Sequence, residues 1–429
     1  MQQGYFILRL STHEREQKRR LFQHRNTMKI TGIETYVVGN PWKIWIFARV
    51  MTDEGIYGIG EGSLGQVSYA VEGAIQDLKQ WVIGADPFDI EWMTNRVNHE
   101  IYADGGQIKM SALAAIEMAC WDIMGKVTKQ PVYRLLGGKC HPKLRAYANG
   151  WYRVDRKPEL FADRALKVKE KGYTAMKFDP FGPNWRIMTP REEDLSIDIV
   201  RAVRAAVGPE VDLMIEAHSR FGVSQAIQVA KRLEEFRPAW LEEPVPHHNP
   251  IHTVEVARAT SVPIATGESL SSKQAFADLL KYGAIQIIQM EPVHVGGILA
   301  SRKIADMVDA SYGMIAPHSA AGAVSTMACV HIDAATPNFY VQEYFHDFTS
   351  NAWEHDLFTT SLSVKDGYIE LPTEPGLGID LNLDVARSQP RSKANEMNIW
   401  EDGWQLRRDN IAKNETRQPA RAGMQTARS

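Results

Sequence analysis

Six acid or imidazole side chains recur at the ends of short apolar runs, and no other feature of the sequence limits the fold so strongly. Glu216, Glu242, Glu268, Glu291, His318 and Glu343 are separated by 26, 26, 23, 27 and 25 residues. Each closes a run of strand character: VDLMIEA (211–217), AWLEEP (239–244), VPIATGE (262–268), IQIIQME (285–291), GMIAPH (313–318) and NFYVQE (338–343). Two earlier runs, LRAYANG (144–150) and TAMKF (174–178), bring the number of candidate strands to eight. Helical stretches such as DLSIDIVRAVRAAVG and SQAIQVAKRLEEF fill the intervals. Alternating strands and helices build a parallel sheet. Eight such strands close a barrel whose active sites form at the C-terminal strand ends. The spacing therefore predicts an α/β chain with a parallel barrel, all six side chains converging at one mouth. After Glu343 no long amphipathic helix follows, so the last repeat is truncated.

The segment before the barrel has a different texture. The order reads strand, strand, turn, then helices: KITGIETYVV and WIFARVMTD alternate like half-buried strands, and Asp53–Gly55 supplies the hairpin turn. Residues 110–126 place Leu113, Ile116, Cys120 and Ile123 at helical spacing but are apolar nearly all round, which predicts a buried helix. The reading is an α+β capping domain over 28–145, a barrel over 146–350, and a C-terminal segment, 351–429, that returns to the capping domain. Residues 1–27 contain STHEREQKRR, which lacks the apolar core of an export signal, and read as a disordered extension.

Bulk properties exclude several classes of function. Lys+Arg 49 against Asp+Glu 52 gives a net charge of −3, so no basic field recommends nucleic acid or an anionic membrane. No apolar run reaches the roughly 20 residues of a membrane span. The 3 cysteines include no Cys-x-x-Cys pair, which favours a reduced, cytoplasmic setting.

Three carboxylates on adjacent strands cannot all stay ionised in a confined site without a cation. Hard oxygen ligands with room for water suit Mg²⁺, so Glu216, Glu242 and Glu268 read as its ligands. Carboxylates in such loops also cap helices or pair with basic residues, a reading that weakens when three stand in register. His218, two residues after Glu216, is expected on the same strand face, with His318 across the barrel and Glu291 orienting its ring. Two imidazoles on opposite sides of a pocket suit proton abstraction followed by elimination.

At these residues the chain resembles the enolase superfamily, mandelate racemase subgroup, and within it the galactonate dehydratase-like acid-sugar dehydratases. The likeness runs from Met28 to about Trp404. It is carried by MSALAAIEMACWDIMGK with PVYRLLGG, IEAH, LEEP, TGES, EPVHVGG, APHSAAG and PGLGID. It implies a (β/α)7β TIM-like barrel under an N-terminal capping domain, and Mg²⁺ on Glu216, Glu242 and Glu268. It implies that His318 takes the proton beside a sugar-acid carboxylate while His218 protonates the departing 3-hydroxyl, giving a 2-keto-3-deoxy acid. Lys177 stands at the first lysine of the family's Lys-x-Lys pair, where it adds positive charge near the substrate carboxylate. Asp179 stands at the second lysine, which argues against racemisation, and Glu291 stands where the family carries Asp. Glu343, Asp179, Arg220, His294 and Trp400 are the candidate substrate contacts. The loops 39–45 and 62–66, with aromatic surface from FDPFGPNW (178–185), are candidates for substrate selection. A homo-oligomer, octamer or dimer, is expected by the same likeness. Two other outcomes remain open on the sequence: a cycloisomerase using the same enolate chemistry, and a sugar-acid-binding barrel without turnover.

Overall fold

The structure is a computed structural model and describes residues 27–40, 43–348, 351–360 and 362–392. The capping domain begins with an antiparallel meander, β1 (Ile30–Gly39), β2 (Ile44–Thr52) and β3 (Tyr57–Glu61). Against β3 lies the helix Gly106–Thr128, buried along most of its length. Their contact explains why both sequences are rich in small residues. A Cβ on Gly58 would stand 2.0 Å from the carbonyl oxygen of Ala119, and one on Gly60 would stand 1.9 Å from that of Ala115. Four helical residues rise about 6 Å and two strand residues about 6.6 Å, so alternate glycines meet every fourth helix residue and the backbones touch.

The barrel strands are β4 (Lys143–Ala148), β5 (Ala175–Phe178), β6 (Asp212–Glu216), β7 (Trp240–Glu242), β8 (Ile264–Thr266), β9 (Ile287–Ile288), β10 (Met314–Ile315) and β11 (Gln342–Tyr344). Each falls within one of the eight runs identified from sequence, or within a residue of it. They pair in parallel in chain order from β4 to β10, and β11 pairs in parallel with β4. Ile315 closes the ring through Asn338 and Tyr340, each hydrogen bond 2.9 Å long. One interior layer is made of Tyr147, Ala175, Met214, Trp240, Ala265, Ile287, Ala316 and Val341, one from each strand or its edge. Tyr147 and Trp240 meet edge to face at 5.6 Å. Outward neighbours such as Met176, Leu213, Ile215 and Leu241 join the large core beneath the helices.

Beyond β11, β12 (Val364–Lys365) and β13 (Tyr368–Glu370) form a hairpin that adds antiparallel to β4. The chain then runs against the first domain: Leu377 donates its N–H to Asp122 at 2.8 Å, and Gly39 donates to Gln389 at 2.8 Å. Phe358 packs on Trp45 and Phe47 at 6.2 and 5.8 Å. No helix among the described residues is long and apolar enough to cross a membrane.

The aromatic surface expected from FDPFGPNW is confined to the half-buried Trp185. Phe178 and Phe181 are wholly buried, packing against Trp151 at 5.5 Å and Phe221 at 5.0 Å respectively, because burial of a ring gains more than exposure at a polar mouth.

Gly60→Ala is expected to destabilise the protein by about 1–3 kcal/mol, since the strand must lift from the helix to admit one methyl group. Chemical denaturation checks this, and an unchanged midpoint would overturn the close-packing account.

Candidate active site

The interior layer dictates what stands at the mouth. Side chains two residues along a strand share a face, so Tyr147, Ala175, Met214, Trp240, Ala316 and Val341 are followed by Asn149, Lys177, Glu216, Glu242, His318 and Glu343. Glu268 breaks this rule by one residue. Gly267 takes φ +136°, a backbone state that side-chain-bearing residues rarely adopt, and the kink swings Glu268 inward.

Carboxylate oxygens of Glu216, Glu242 and Glu268 lie within 4.8 Å of one another. Glu216 Oε2 and Glu268 Oε2 are buried and make no hydrogen bond closer than their ion-pair contacts to Lys177 Nζ at 3.4 Å and His318 Nε2 at 3.1 Å, a setting that suits a hard cation. The donor set fits a divalent ion. Lys177 is wholly buried beside them, paired with Glu242, 2.9 Å from Glu343 Oε1 and 3.4 Å from Glu216 Oε2. Burial disfavours its charge, yet Glu242 and Glu343 hold its pKa well above the ordinary lysine value. Burial, reinforced by Glu216, pushes the Glu242 carboxyl up.

Glu343 is held differently. It accepts from Asn149 Nδ2 at 2.7 Å, Lys177 Nζ at 2.9 Å and the Ser319 N–H at 2.8 Å. Lys177, His318 and the Ser319 N–H overcome the burial that would raise its pKa and hold it below the usual range. Glu291 is likewise satisfied, taking Ser325 Oγ at 3.0 Å and His318 Nδ1 at 2.6 Å.

Two imidazoles flank this ring, each anchored through Nδ1 by a carboxylate: His318 by Glu291, and His218 by Asp179 at 2.7 Å. With Nδ1–H donated, Nε2 of each ring is left for proton transfer. His318 Nε2 faces Glu268 Oε2 at 3.1 Å. Burial alone lowers the His318 pKa, but Glu268, Glu343 and Glu291 together raise it to about 10. For His218, burial is outweighed by Glu216 and Asp179, and the pKa rises to about 9. Positive charge among the same carboxylates would relieve both shifts.

His218 does not reach the mouth by strand alternation. β6 ends at Glu216, and His218 and Ser219 take φ +45° and +56° in a tight turn after it. The turn is fastened by the His218 N–H to Glu216 Oε1 at 2.5 Å and the Ser219 N–H to the Glu243 carbonyl at 2.7 Å.

The remaining candidates divide. Arg220 is buried, bonded to Asp179 and to the carbonyls of Ala217 and Gly182, so it braces the Asp179–His218 pair from behind. Asp179 faces His218 and Arg220, which hold its pKa low against burial. His294 supports Glu268 through Nδ1 to its carbonyl at 2.8 Å. Trp400 lies outside the described residues, as do residues 41 and 42 of the loop 39–45 and residues 1–26 of the upstream extension. Sequence reading missed Asn149, although its position two residues after Tyr147 was a usable signal. It also missed the buried Ser325 and Glu61, which no local pattern marks.

The family model for the enolase C-terminal domain-like fold matches residues 160–385, and that for the mandelate racemase / muconate lactonizing enzyme N-terminal domain matches residues 28–137. The chain is 33% identical over 383 residues to the D-gluconate/D-galactonate dehydratase of Picrophilus torridus, covering 87% of this chain and 97% of that one. To the D-gluconate dehydratase of Thermoproteus tenax it is 35% identical over 354 residues, covering 80% of this chain and 70% of the relative. The crystal structure of a mandelate racemase/muconate lactonizing enzyme-like protein from Roseovarius sp. TM1035 superposes with a TM-score of 0.82 at 33% identity, covering 87% of this chain and 98% of that one.

Burial pushes the Glu242 carboxyl up and the surrounding acids raise His318, so a cation entering this ring should release protons and its affinity should rise with pH. Calorimetric titration with Mg²⁺ in two buffers of different protonation enthalpy measures this. Heats independent of buffer would count against the ring as the site.

Proposed function

The chain belongs to the enolase superfamily, in its mandelate racemase / muconate lactonizing enzyme branch, and on that premise we propose that it dehydrates a sugar acid to a 2-keto-3-deoxy acid. The enzyme class, a hydro-lyase of sugar acids, follows from relatives with that activity at 33 and 35% identity. The substrate is an aldonate or aldarate whose carboxylate enters the ring at the barrel mouth.

Glu216, Glu242 and Glu268 would hold Mg²⁺. When bound, the ion supplies positive charge at the substrate carboxylate, which makes the neighbouring carbon acidic enough to lose a proton. Lys177 adds a fixed positive charge at the same place. Through Nε2, His318 takes the proton on C2, its ring held by Glu291. His218 gives a proton to the 3-hydroxyl, so the C3–O bond breaks and water leaves. The enol that remains becomes the 2-keto-3-deoxy acid.

The observation that carries the reading is the pair of carboxylate-anchored imidazoles on either side of a three-carboxylate cluster. Asp179 is part of it. Where a racemase would need a second lysine base, this chain has a carboxylate that fixes His218 instead.

A panel of aldonic and aldaric acids, incubated with the protein and Mg²⁺ and assayed for keto-deoxy acid with semicarbazide, tests the proposal. His318→Asn should lower turnover by about 10²–10⁴-fold and abolish exchange of the α-proton in D₂O. His218→Asn should lose product formation by a similar factor while exchange continues. No keto-deoxy acid from any member of the panel would end this reading, and a cyclic product seen by NMR would replace it with a cycloisomerase.

A further inference from the structure

Glu61, at the end of β3 in the capping domain, is wholly buried. Its carboxylate does not point at the candidate site. It accepts the N–H groups of Gly322 at 2.6 Å and Ser325 at 2.8 Å, at the start of the barrel helix Ala323–Ala334, and the hydroxyl of Ser63. That helix start is where the base is held. Ser325, also wholly buried, gives its hydroxyl to Glu291 Oε1 at 3.0 Å, and Glu291 Oε2 binds His318 Nδ1 at 2.6 Å. Next along the helix, Thr326 bonds Ser319 at 2.9 Å, and the Ser319 N–H holds Glu343 at 2.8 Å. Lys43, at the start of β2, adds a bond to the Ala320 carbonyl at 2.8 Å.

We propose that Glu61 and Ser325 are positioning residues that fix the His318 ring in its reactive orientation, so that the base is aligned only when the capping domain is seated on the barrel. The proposal rests on His318 being the base. Glu291 is a glutamate, with one more torsion to freeze than the aspartate expected there, and a carboxylate anchored at one oxygen could rotate. Ser325 anchors the second oxygen. Glu61 in turn fixes Ser325, because it grips that residue's own N–H along with the end of the helix that carries positive partial charge.

The comparison that separates positioning from mere stability lies in the same domain. Glu117 is an equally buried carboxylate on the helix Gly106–Thr128, and it grips the start of another barrel helix through the N–H groups of Ile298 and Leu299, both at 2.8 Å. It has no bond to the base or its carboxylate.

Wild type, Ser325→Ala, Ser325→Thr, Glu61→Gln and Glu117→Gln are compared as full chains with Mg²⁺. Three quantities are measured: kcat and KM on the best sugar acid of the panel, the thermal midpoint, and the far-downfield NMR resonance of the His318 Nδ1 proton, assigned by its loss in His318→Asn. Ser325→Ala and Glu61→Gln should lower kcat on the order of 10- to 100-fold with KM little changed, and should shift or broaden the resonance. Ser325→Thr, which keeps the hydroxyl, should restore both. Glu117→Gln should lower the thermal midpoint alone. Wild-type kcat and resonance in Ser325→Ala would overturn the proposal, as would equal losses of kcat in Glu61→Gln and Glu117→Gln. Because the resonance needs no turnover, its shift in Ser325→Ala with no sugar acid dehydrated by wild type would sustain the coupling and sink the dehydratase reading alone.

Discussion

Five carboxylates, Glu216, Glu242, Glu268, Glu291 and Glu343, converge on one largely buried mouth where, among the described residues, Lys177 supplies the ammonium. At an effective dielectric of about 20, two unit charges 4.8 Å apart repel by about 3.5 kcal/mol, and several such pairs act at once. A fold of ordinary stability cannot carry that cost uncompensated. The protein relieves part of it with its own donors, and it does so selectively. Glu291, Glu343 and Glu242 are supplied with hydroxyl, amide, indole, ammonium and imidazole partners, whereas Glu216 Oε2 and Glu268 Oε2 face Lys177 Nζ at 3.4 Å and His318 Nε2 at 3.1 Å.

The barrel makes this crowding possible. Each strand contributes one interior residue and then, two positions on, one mouth residue, so eight strands deliver side chains from separate parts of the sequence to a common rim. Below the rim the interior is filled by the buried side chains of Trp240, Tyr147 and Met214. Glu216, Glu242, Glu291 and Glu343 above them are buried as well. Low polarity amplifies both their repulsion and any attraction for a cation.

This logic also marks what could be read from the chain alone. The strand runs, the period near 25 residues and the acid at the end of each run are local patterns that pointed to Glu216, Glu242, His318 and Glu343 at one mouth, whereas Lys177 was singled out by the family resemblance. Glu268 was legible as a strand-end acid, but its one-residue offset depends on the φ of Gly267, which no periodicity encodes. His218 reached the mouth for a different reason from the one that alternation suggested, since the strand had already ended. The buried rings of Phe178 and Phe181 were misread because a Gly- and Pro-rich stretch looks like a surface loop, while here it folds back against the barrel. Glu61 and Ser325 are 264 residues apart and belong to different domains, so only the folded chain brings them together.

The two imidazole pairs share a design but not a setting, and the difference bears on their division of labour. The His318 side chain is 11% exposed and faces Glu268 across the ring, whereas the His218 side chain is 43% exposed at the rim. A base that must remove a weakly acidic proton gains from a dry, rigid surrounding, because no solvent has to reorganise as charge moves. A group that protonates a departing hydroxyl must keep its proton at neutral pH and regain it from solvent after each turnover. Asp179, itself kept ionised by Arg220, gives His218 the first property, and its exposed edge gives it the second. Exchanging the roles would put the exposed ring to the harder proton transfer, which is the ground for the proposal that His318 is the base and His218 the acid.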